Sequence, residues 1–374
     1  MNSRTKKLKL ITISIFLLIF AVAVSACGAE GNFLAGGAGA SNAEEEITAT
    51  PAAEEPIVEP PTPTPIPEPF GRIIFVSNRE GQKNLFITAP NGTDLNRLTA
   101  NGSEDSTPRI SPDGTKIAFV STVNNNMDIY ILDLGSGAIT RVTDTPEKDS
   151  SPSWSPDGTR LAFESFRDGN FEIYITNIDG TNQIRITNDS SGDSSPVWSP
   201  VGNEIAFVSN RYGNADILLT SLNGSISTLT TNVAPDSAPT WSPNGSRIAF
   251  QTHDGELSHL CIIGRDGLGQ NCITSAMAKY SPPAWSPDGN WIAASAPDSG
   301  IHLFSLADNS MTQLSAPGIE PLGIPSWSPD GLRLVLQAQT GGSTELFMTL
   351  IQTNEFTQLT FTNSYNGEPH WFNN

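Results

Sequence analysis

The sequence predicts an all-β protein, a closed ring of seven four-stranded antiparallel sheets. Three observations carry that prediction. First, one segment recurs: "TPRISPDGTKIAF" from Thr107, "SPSWSPDGTRLAF" from Ser151, "SPVWSPVGNEIAF" from Ser195, "APTWSPNGSRIAF" from Ala238, "PPAWSPDGNWIAA" from Pro282 and "IPSWSPDGLRLVL" from Ile324. A seventh copy, "EPHWFNN" from Glu368, closes the sequence. Second, one slot of that segment, filled by Ile110, Trp154, Trp198, Trp241, Trp285, Trp327 and Trp371, recurs at intervals of 44, 44, 43, 44, 42 and 44 residues. Such a period marks one four-stranded sheet per repeat in a radial array, a β-propeller. Third, the end units are complementary halves. The first begins at "GRIIFVSN" (Gly71–Asn78), a second strand without its first, and the last ends at "PHW" (Pro369–Trp371), a first strand without its second. Joined, they make the seventh blade, so Pro369–Trp371 is expected to pair with Arg72–Val76. Closure of this kind removes free sheet edges.

The elements follow in chain order. Residues 1–26 read as an address, with Arg4, Lys6, Lys7 and Lys9 before the apolar run "LITISIFLLIFAVAV" (Leu10–Val24). The "VSAC" that follows, Val24–Cys27, resembles the lipobox of bacterial lipoprotein signal peptides. That resemblance implies cleavage before Cys27 and acylation of its thiol. The rival reading is a transmembrane anchor, because Leu10–Gly28 is uncharged and near the minimum of roughly 17–25 residues for a span. Either reading puts the remainder outside the cytoplasm. Residues 27–69 are Gly/Ala-rich, then acidic, then Pro-rich ("PPTPTPIPEP"), with too few large apolar residues for a core. They read as a lipid-anchored tether with an extended Pro-rich half. Residues 70–374 form the propeller.

One unit shows how its strands are chosen. "PSW" is strand A, "RLAFES" (Arg160–Ser165) strand B, "FEIYIT" (Phe171–Thr176) strand C and "IRIT" (Ile184–Thr187) strand D. Between A and B, Ser155-Pro156-Asp157-Gly158 carries the residues of a type I turn followed by a position of positive φ. Between C and D, "IDGTN" (Ile178–Asn182) supplies a second Asp-Gly turn. The near-continuous apolar runs of B and C suit sheets covered on both faces, with Trp154 packed between blades.

At this point the chain resembles the TolB-like, PD40-type β-propellers. The pattern P-x-W-S-P-D-G-x-x-I-A-F is followed by "SNREGQKNLF" (Ser77–Phe86), "SFRDGNFEIY" (Ser165–Tyr174) and "SNRYGNADIL" (Ser209–Leu218), and by "NRLT" (Asn96–Thr99). The resemblance covers residues 70–374. It implies the propeller fold. It does not fix a function, because oligopeptidase propellers and oligogalacturonate lyases are built from similar repeats. TolB itself has six blades and an N-terminal α/β domain where this chain has a tether, so a role in the Tol–Pal envelope system is not implied.

The A–B and C–D turns share one face of the disc and are uniform. The B–C and D–A loops share the other face and vary, which makes that face the better place to look for binding. Three residues before the strand-A proline stand Asp105, Asp149, Asp193 and Asp236, and in the next unit Tyr280. Placed on the innermost strand, they are expected to rim the central channel. Read functionally, they form an acidic arc suited to a divalent cation or a basic or amine-bearing ligand. Read structurally, each Asp bonds its own turn or pairs with Arg79, Arg167 or Arg211 on the same face. Cys261 and Cys272 flank Asp266-Gly267 on predicted strands C and D, and an exported chain permits a disulfide between them.

The formal charge is −19, and removing residues 1–26 with their four cations would leave about −23. Such a chain repels nucleic acid and anionic lipid. His253, His259, His302 and His370 have no partner at metal-ligand spacing, and no G-x-S-x-G elbow is present. The sequence therefore points to a non-catalytic, monomeric, lipid-anchored propeller outside the cytoplasm, without a cofactor, binding an envelope protein, peptide or glycan. The alternatives are a glycan-active or metal-dependent hydrolase or lyase, and a sensor module.

Overall fold

The computed structural model describes residues 66–275 and 278–373. The signal segment, Cys27 and the tether as far as residue 65 lie outside the described residues. The propeller contains seven four-stranded antiparallel sheets, and the single helical element among the described residues is a 3-10 turn at Val123–Asn125. Six blades are consecutive meanders. Blade 1 combines Asn366–Phe372 as its innermost strand with Arg72–Glu80, Gln82–Thr88 and Asn96–Arg97. The pairing Arg72↔Phe372, Ile73↔Trp371 and Ile74↔His370 closes the ring as the complementary ends require.

Blades 2 to 5 begin with innermost strands Asp105–Ile110, Asp149–Trp154, Asp193–Trp198 and Asp236–Trp241, and blades 6 and 7 with Ala284–Trp285 and Glu320–Trp327. In blade 3 the later strands are Arg160–Ser165, Glu172–Asn177 and Ile184–Arg185. The second matches the expected span, the third is shifted by one residue and the fourth is shorter.

The turn chemistry is local and repeated. In blade 3, Gly158 N–H donates to Ser155 O at 2.9 Å, Arg160 N–H to Ser155 Oγ at 3.0 Å and Thr159 N–H to Asp157 Oδ1 at 3.1 Å, with Gly158 at φ 66°. The Ser155 hydroxyl, which donates to Asp157 Oδ1 at 2.5 Å, and the Thr159 N–H hold Asp157 below the usual carboxylate range. Asn244 fills the same role in blade 5, accepting from Ser242 Oγ and Ser246 N–H. Val201 has no oxygen to offer, and it stands 58% exposed.

The core lies between blades. Ala118, Ile129, Ile131 and Val142 of blade 2 pack on Trp154, Leu161, Phe163 and Tyr174 of blade 3. At the seam that closes the ring, Val335, Leu346 and Leu359 of blade 7 meet Ile73, Phe75, Phe86 and Trp371. The tryptophans also carry a directional bond. The indole N–H of Trp154, Trp241, Trp285 and Trp327 donates to Arg109 O, Val197 O, Thr240 O and Ala284 O of the preceding blade, at 2.9 to 3.1 Å. A buried indole needs such a partner. Trp371 uses Phe70 O at 2.9 Å, while Trp198 turns to Gly202 O at 3.1 Å in its own blade.

Threonines just after the fourth strands lock blades from outside, and in blades 1 to 3 they end an Arg-x-Thr sequence. Thr99, Thr143, Thr187 and Thr230 accept, on Oγ1, the N–H of Leu85, Ile129, Ile173 and Ile217. Arg141 and Arg185 reach the buried carboxylates of Asp128 and Glu172, each at 2.8 Å. Cys261 and Cys272 face each other across the third and fourth strands of blade 5, and their sulfurs are bonded.

Candidate functional site

Innermost strands leave a central channel of about 880 Å³. Its wall is made by the residues around each strand-A proline, so its composition follows from the positions at which the repeats differ. One ring of lining side chains is Thr107, Ser151, Ser195, Ala238, Ile324 and Glu368, with Pro282 at the sixth blade. A second ring, two residues further along each strand, runs Arg109, Ser153, Val197, Thr240, Ala284, Ser326 and His370. Most of this wall is small or apolar. Arg109, Glu368 and His370 are the charged or titratable residues among those lining it, and all three lie on adjoining blades 1 and 2.

The four aspartates are not part of this wall. Asp105, Asp149, Asp193 and Asp236 are fully buried inside their blades. The expected acidic rim is therefore corrected, and the reason is a bulge. Thr107, Ser151, Ser195, Ala238 and Glu368 all have φ near +50°, and each innermost strand slips register beside them. In blade 3, Asp149 pairs with Ser165 and Trp154 with Leu161, while two residues oppose Phe163. Simple alternation would put Asp149 on the sheet face opposite Trp154. The extra residue puts both on one face.

There each aspartate is consumed by its own blade. Asp149 meets Arg167 Nη2 at 3.2 Å, and Asp193 meets Arg211 Nη2 at 2.7 Å. The Nε of each Arg donates to Ser165 Oγ or Ser209 Oγ, and the guanidinium of Arg167 stacks 4.4 Å from the ring centroid of Tyr174. Asp105 and Asp236 stand without a guanidinium: Ser121 and Asn101 serve the first, Thr252 and Asn232 the second. Burial pushes Asp105 and Asp193 up, opposed by the hydroxyls of Ser121 and Ser209. Tyr280 is half-buried, with its phenol 3.2 Å from His302 Nδ1 and its ring edge-on to His302 and Phe304. It does not line the channel either.

The imidazoles are dispersed. His253 Nε2 bonds Ser237 Oγ, His259 Nδ1 bonds Thr274 Oγ1, and His302 lies between Tyr280 and Ser299 Oγ. Among the described residues, no group of three His, Cys, Asp or Glu is placed to hold a metal ion.

The charged sector was not legible from any one repeat. Glu368 accepts from Thr107 N–H at 2.6 Å across the blade seam, and it also bonds the Tyr365 phenol. Glu368 N–H donates to Gln337 Oε1 at 2.7 Å. Arg109 is open to the lumen yet ringed by protein. Enclosure lowers its pKa, and the charge of Glu368 opposes that shift. Enclosure, together with the positive charge of Arg109, pushes His370 down to about 4, so it is neutral at pH 7. Glu164 of blade 3 is used in a comparable way at the seam with blade 4, accepting from Ser150 Oγ, Ser151 Oγ and Ser195 N–H.

The family model for the TolB beta propeller domain matches residues 105–288 and 227–374. The chain belongs to the TolB β-propeller family. A curated TolB homologue from Chlorobium luteolum is 48% identical over 50 residues, which is 13% of this chain and 12% of that protein's length. The crystal structure of TolB from Acinetobacter baumannii superposes with a TM-score of 0.55 at 24% identity, covering 82% of this TolB-family chain and 68% of that one. Oligogalacturonate lyase from Vibrio parahaemolyticus superposes with a TM-score of 0.62 at 15% identity, covering 74% and 86%. Likeness at these identities is likeness of fold.

Proposed function

We propose that this TolB-family propeller is a non-catalytic binding module of the cell envelope, held outside the cytoplasm through a lipid on Cys27, and that its central channel receives an extended segment of a partner peptide. The observation that carries this reading is the lining of the channel. Proline, tryptophan and small side chains surround about 880 Å³, with the charged and titratable groups gathered in one sector. Pockets that hold ligands have this size and this mixture of apolar wall and few polar groups. His253 and His259 lie on blade 5, His302 on blade 6 and His370 on blade 1, and no three His, Cys, Asp or Glu among the described residues converge, which supports binding over hydrolysis or metal-assisted elimination.

The test is photocrosslinking in the intact envelope. A crosslinking amino acid at Val197, inside the channel, should yield a discrete adduct. The same group at Asp179, in the exposed Asp-Gly turn between the two outer strands of blade 3, should not. Equal labelling from both positions would sink the channel as the binding site. Globomycin-type blockade of lipoprotein processing should leave a precursor retaining residues 1–26, and unchanged processing would sink the anchor.

A further inference from the structure

The lumen holds a guanidinium whose donors are largely unspent. Arg109 carries five N–H groups, and among the described residues its side chain makes one hydrogen bond, from Nη1 to the neighbouring carbonyl Pro108 O at 3.0 Å. The guanidinium groups of Arg167 and Arg211, a few residues along other blades, are by contrast closed on buried carboxylates. Glu368, the nearest lumen carboxylate, forms no ion pair with Arg109. Its oxygens are taken up by Thr107 N–H and the Tyr365 phenol. His370 stands at the same level of the wall on the adjoining blade. Opposite them the lumen is walled by Val197, Thr240 and Ala284, side chains no larger than valine.

A planar fork of N–H donors facing a low-polarity space is matched by a carboxylate, which accepts two parallel bonds. We propose that the channel captures a peptide by a carboxylate, with Arg109 as the anchoring fork and His370 as a further hydrogen-bonding partner. This rests on the reading of the channel as a peptide-binding site and specifies its chemistry. The carboxylate can come from the C-terminus of the peptide or from an Asp or Glu side chain, and the two sources are separable by experiment. Such charge-assisted bonds in an enclosed site correspond to an affinity difference of about tenfold or more.

The experiment uses the purified full-length protein and three tetrapeptide libraries. One has free C-terminal acids and lacks Asp and Glu. The second is the same library amidated. The third is amidated and contains one Asp or Glu. Peptides retained by the protein are counted by mass spectrometry. Retention of the first over the second by about tenfold or more assigns a terminal carboxylate, and retention of the third over the second assigns a side chain. Arg109→Gln should abolish either preference while leaving the melting temperature close to that of the wild type, because the side chain spends one bond on the fold. Glu368→Gln should enlarge the preference by removing the competing negative charge. Equal retention of all three libraries by the wild type, or an unchanged preference in Arg109→Gln, overturns the carboxylate inference and leaves peptide binding standing. No retention of any library overturns both.

Discussion

Blades 3 and 2 open their innermost strands on nearly the same words, Asp149-Ser150-Ser151-Pro152 and Asp105-Ser106-Thr107-Pro108, and both aspartates are fully buried. In blade 3 a guanidinium completes the site, through Arg167. In blade 2 Val123 stands at the corresponding place, and Asp105 Oδ2 is buried without a hydrogen-bond partner. Blade 1 holds the reverse combination: Arg79 is kept, and the acid is replaced by Asn366. The side chain of Asn366 does two things a carboxylate cannot. Its oxygen accepts from Arg79 Nη2 and Ser77 Oγ, each at 2.7 Å, while its nitrogen donates to Glu345 Oε2 at 3.0 Å. Burial lowers the pKa of Arg79, and Glu345 opposes that shift. One backbone position thus accepts an ion pair, a lone acid or an amide, according to what its blade supplies nearby. The position belongs to the architecture of the blade.

The largest effect on this comparison is expected from deleting Glu368–Asn374. Blade 1 would lose all but Asn366 and Gly367 of its innermost strand, including the pairing of Trp371 with Ile73, and blade 7 would lose Trp371 as a packing partner. The truncated chain should give no cooperative thermal transition above room temperature. A melting curve matching the wild type would show that closure contributes nothing.

Next is Arg167→Met, which leaves Asp149 buried and unpaired. Breaking a buried pair from one side costs about 3–5 kcal/mol, measurable by denaturant unfolding. A loss below about 1 kcal/mol would mean that blade 3 tolerates a lone carboxylate as blade 2 does.

Asn366→Asp should cost about 2–3 kcal/mol, because the new carboxylate would face Glu345 where the amide now donates. A gain in stability would mean that Arg79 outweighs Glu345.

The smallest effect is predicted for Asp105→Asn, within about 1 kcal/mol of the wild type and in the stabilising direction near neutral pH. Its sign follows from linkage. Burial raises the folded-state pKa of Asp105, with Glu104 adding to it and the Ser121 and Asn101 hydrogen bonds opposing. The proton on Asp105 therefore contributes stability below about pH 4, near the unfolded value. That contribution is lost as pH rises through the folded value. The difference between Asp105→Asn and wild type should grow in favour of the variant over that rise, and a difference independent of pH would rule this account out.

Much of the fold was legible because it is written locally and repeatedly. Ser155-Pro156-Asp157-Gly158 bends the chain with its own oxygens, and the half-blades at the two ends of the repeat array announce their own pairing. The candidate site was harder to read. The aspartates looked like channel residues because they recur beside the strand-A prolines. Alternation alone gives no warning of the positive-φ residue that turns them onto the tryptophan face. Thr107, Ser151 and Ala238 are not glycines, so the left-handed backbone leaves no residue-type signal. The useful signal was in the position that differs most between copies: Arg109 against Ser153, Val197, Thr240, Ala284 and Ser326.

By itself the sequence determined the number of blades, the turn at each hairpin, the packing role of the tryptophans and the way the ring closes. Each of these depends on residues a few positions apart, or on one repeat matching the next. Only the tertiary structure decided where the carboxylates point and which side chains share the lumen. Thr107 and Glu368 are 261 residues apart, and they meet because the last strand completes the first blade. That closure sets Arg109, Glu368 and His370 in one sector of an otherwise small and apolar wall.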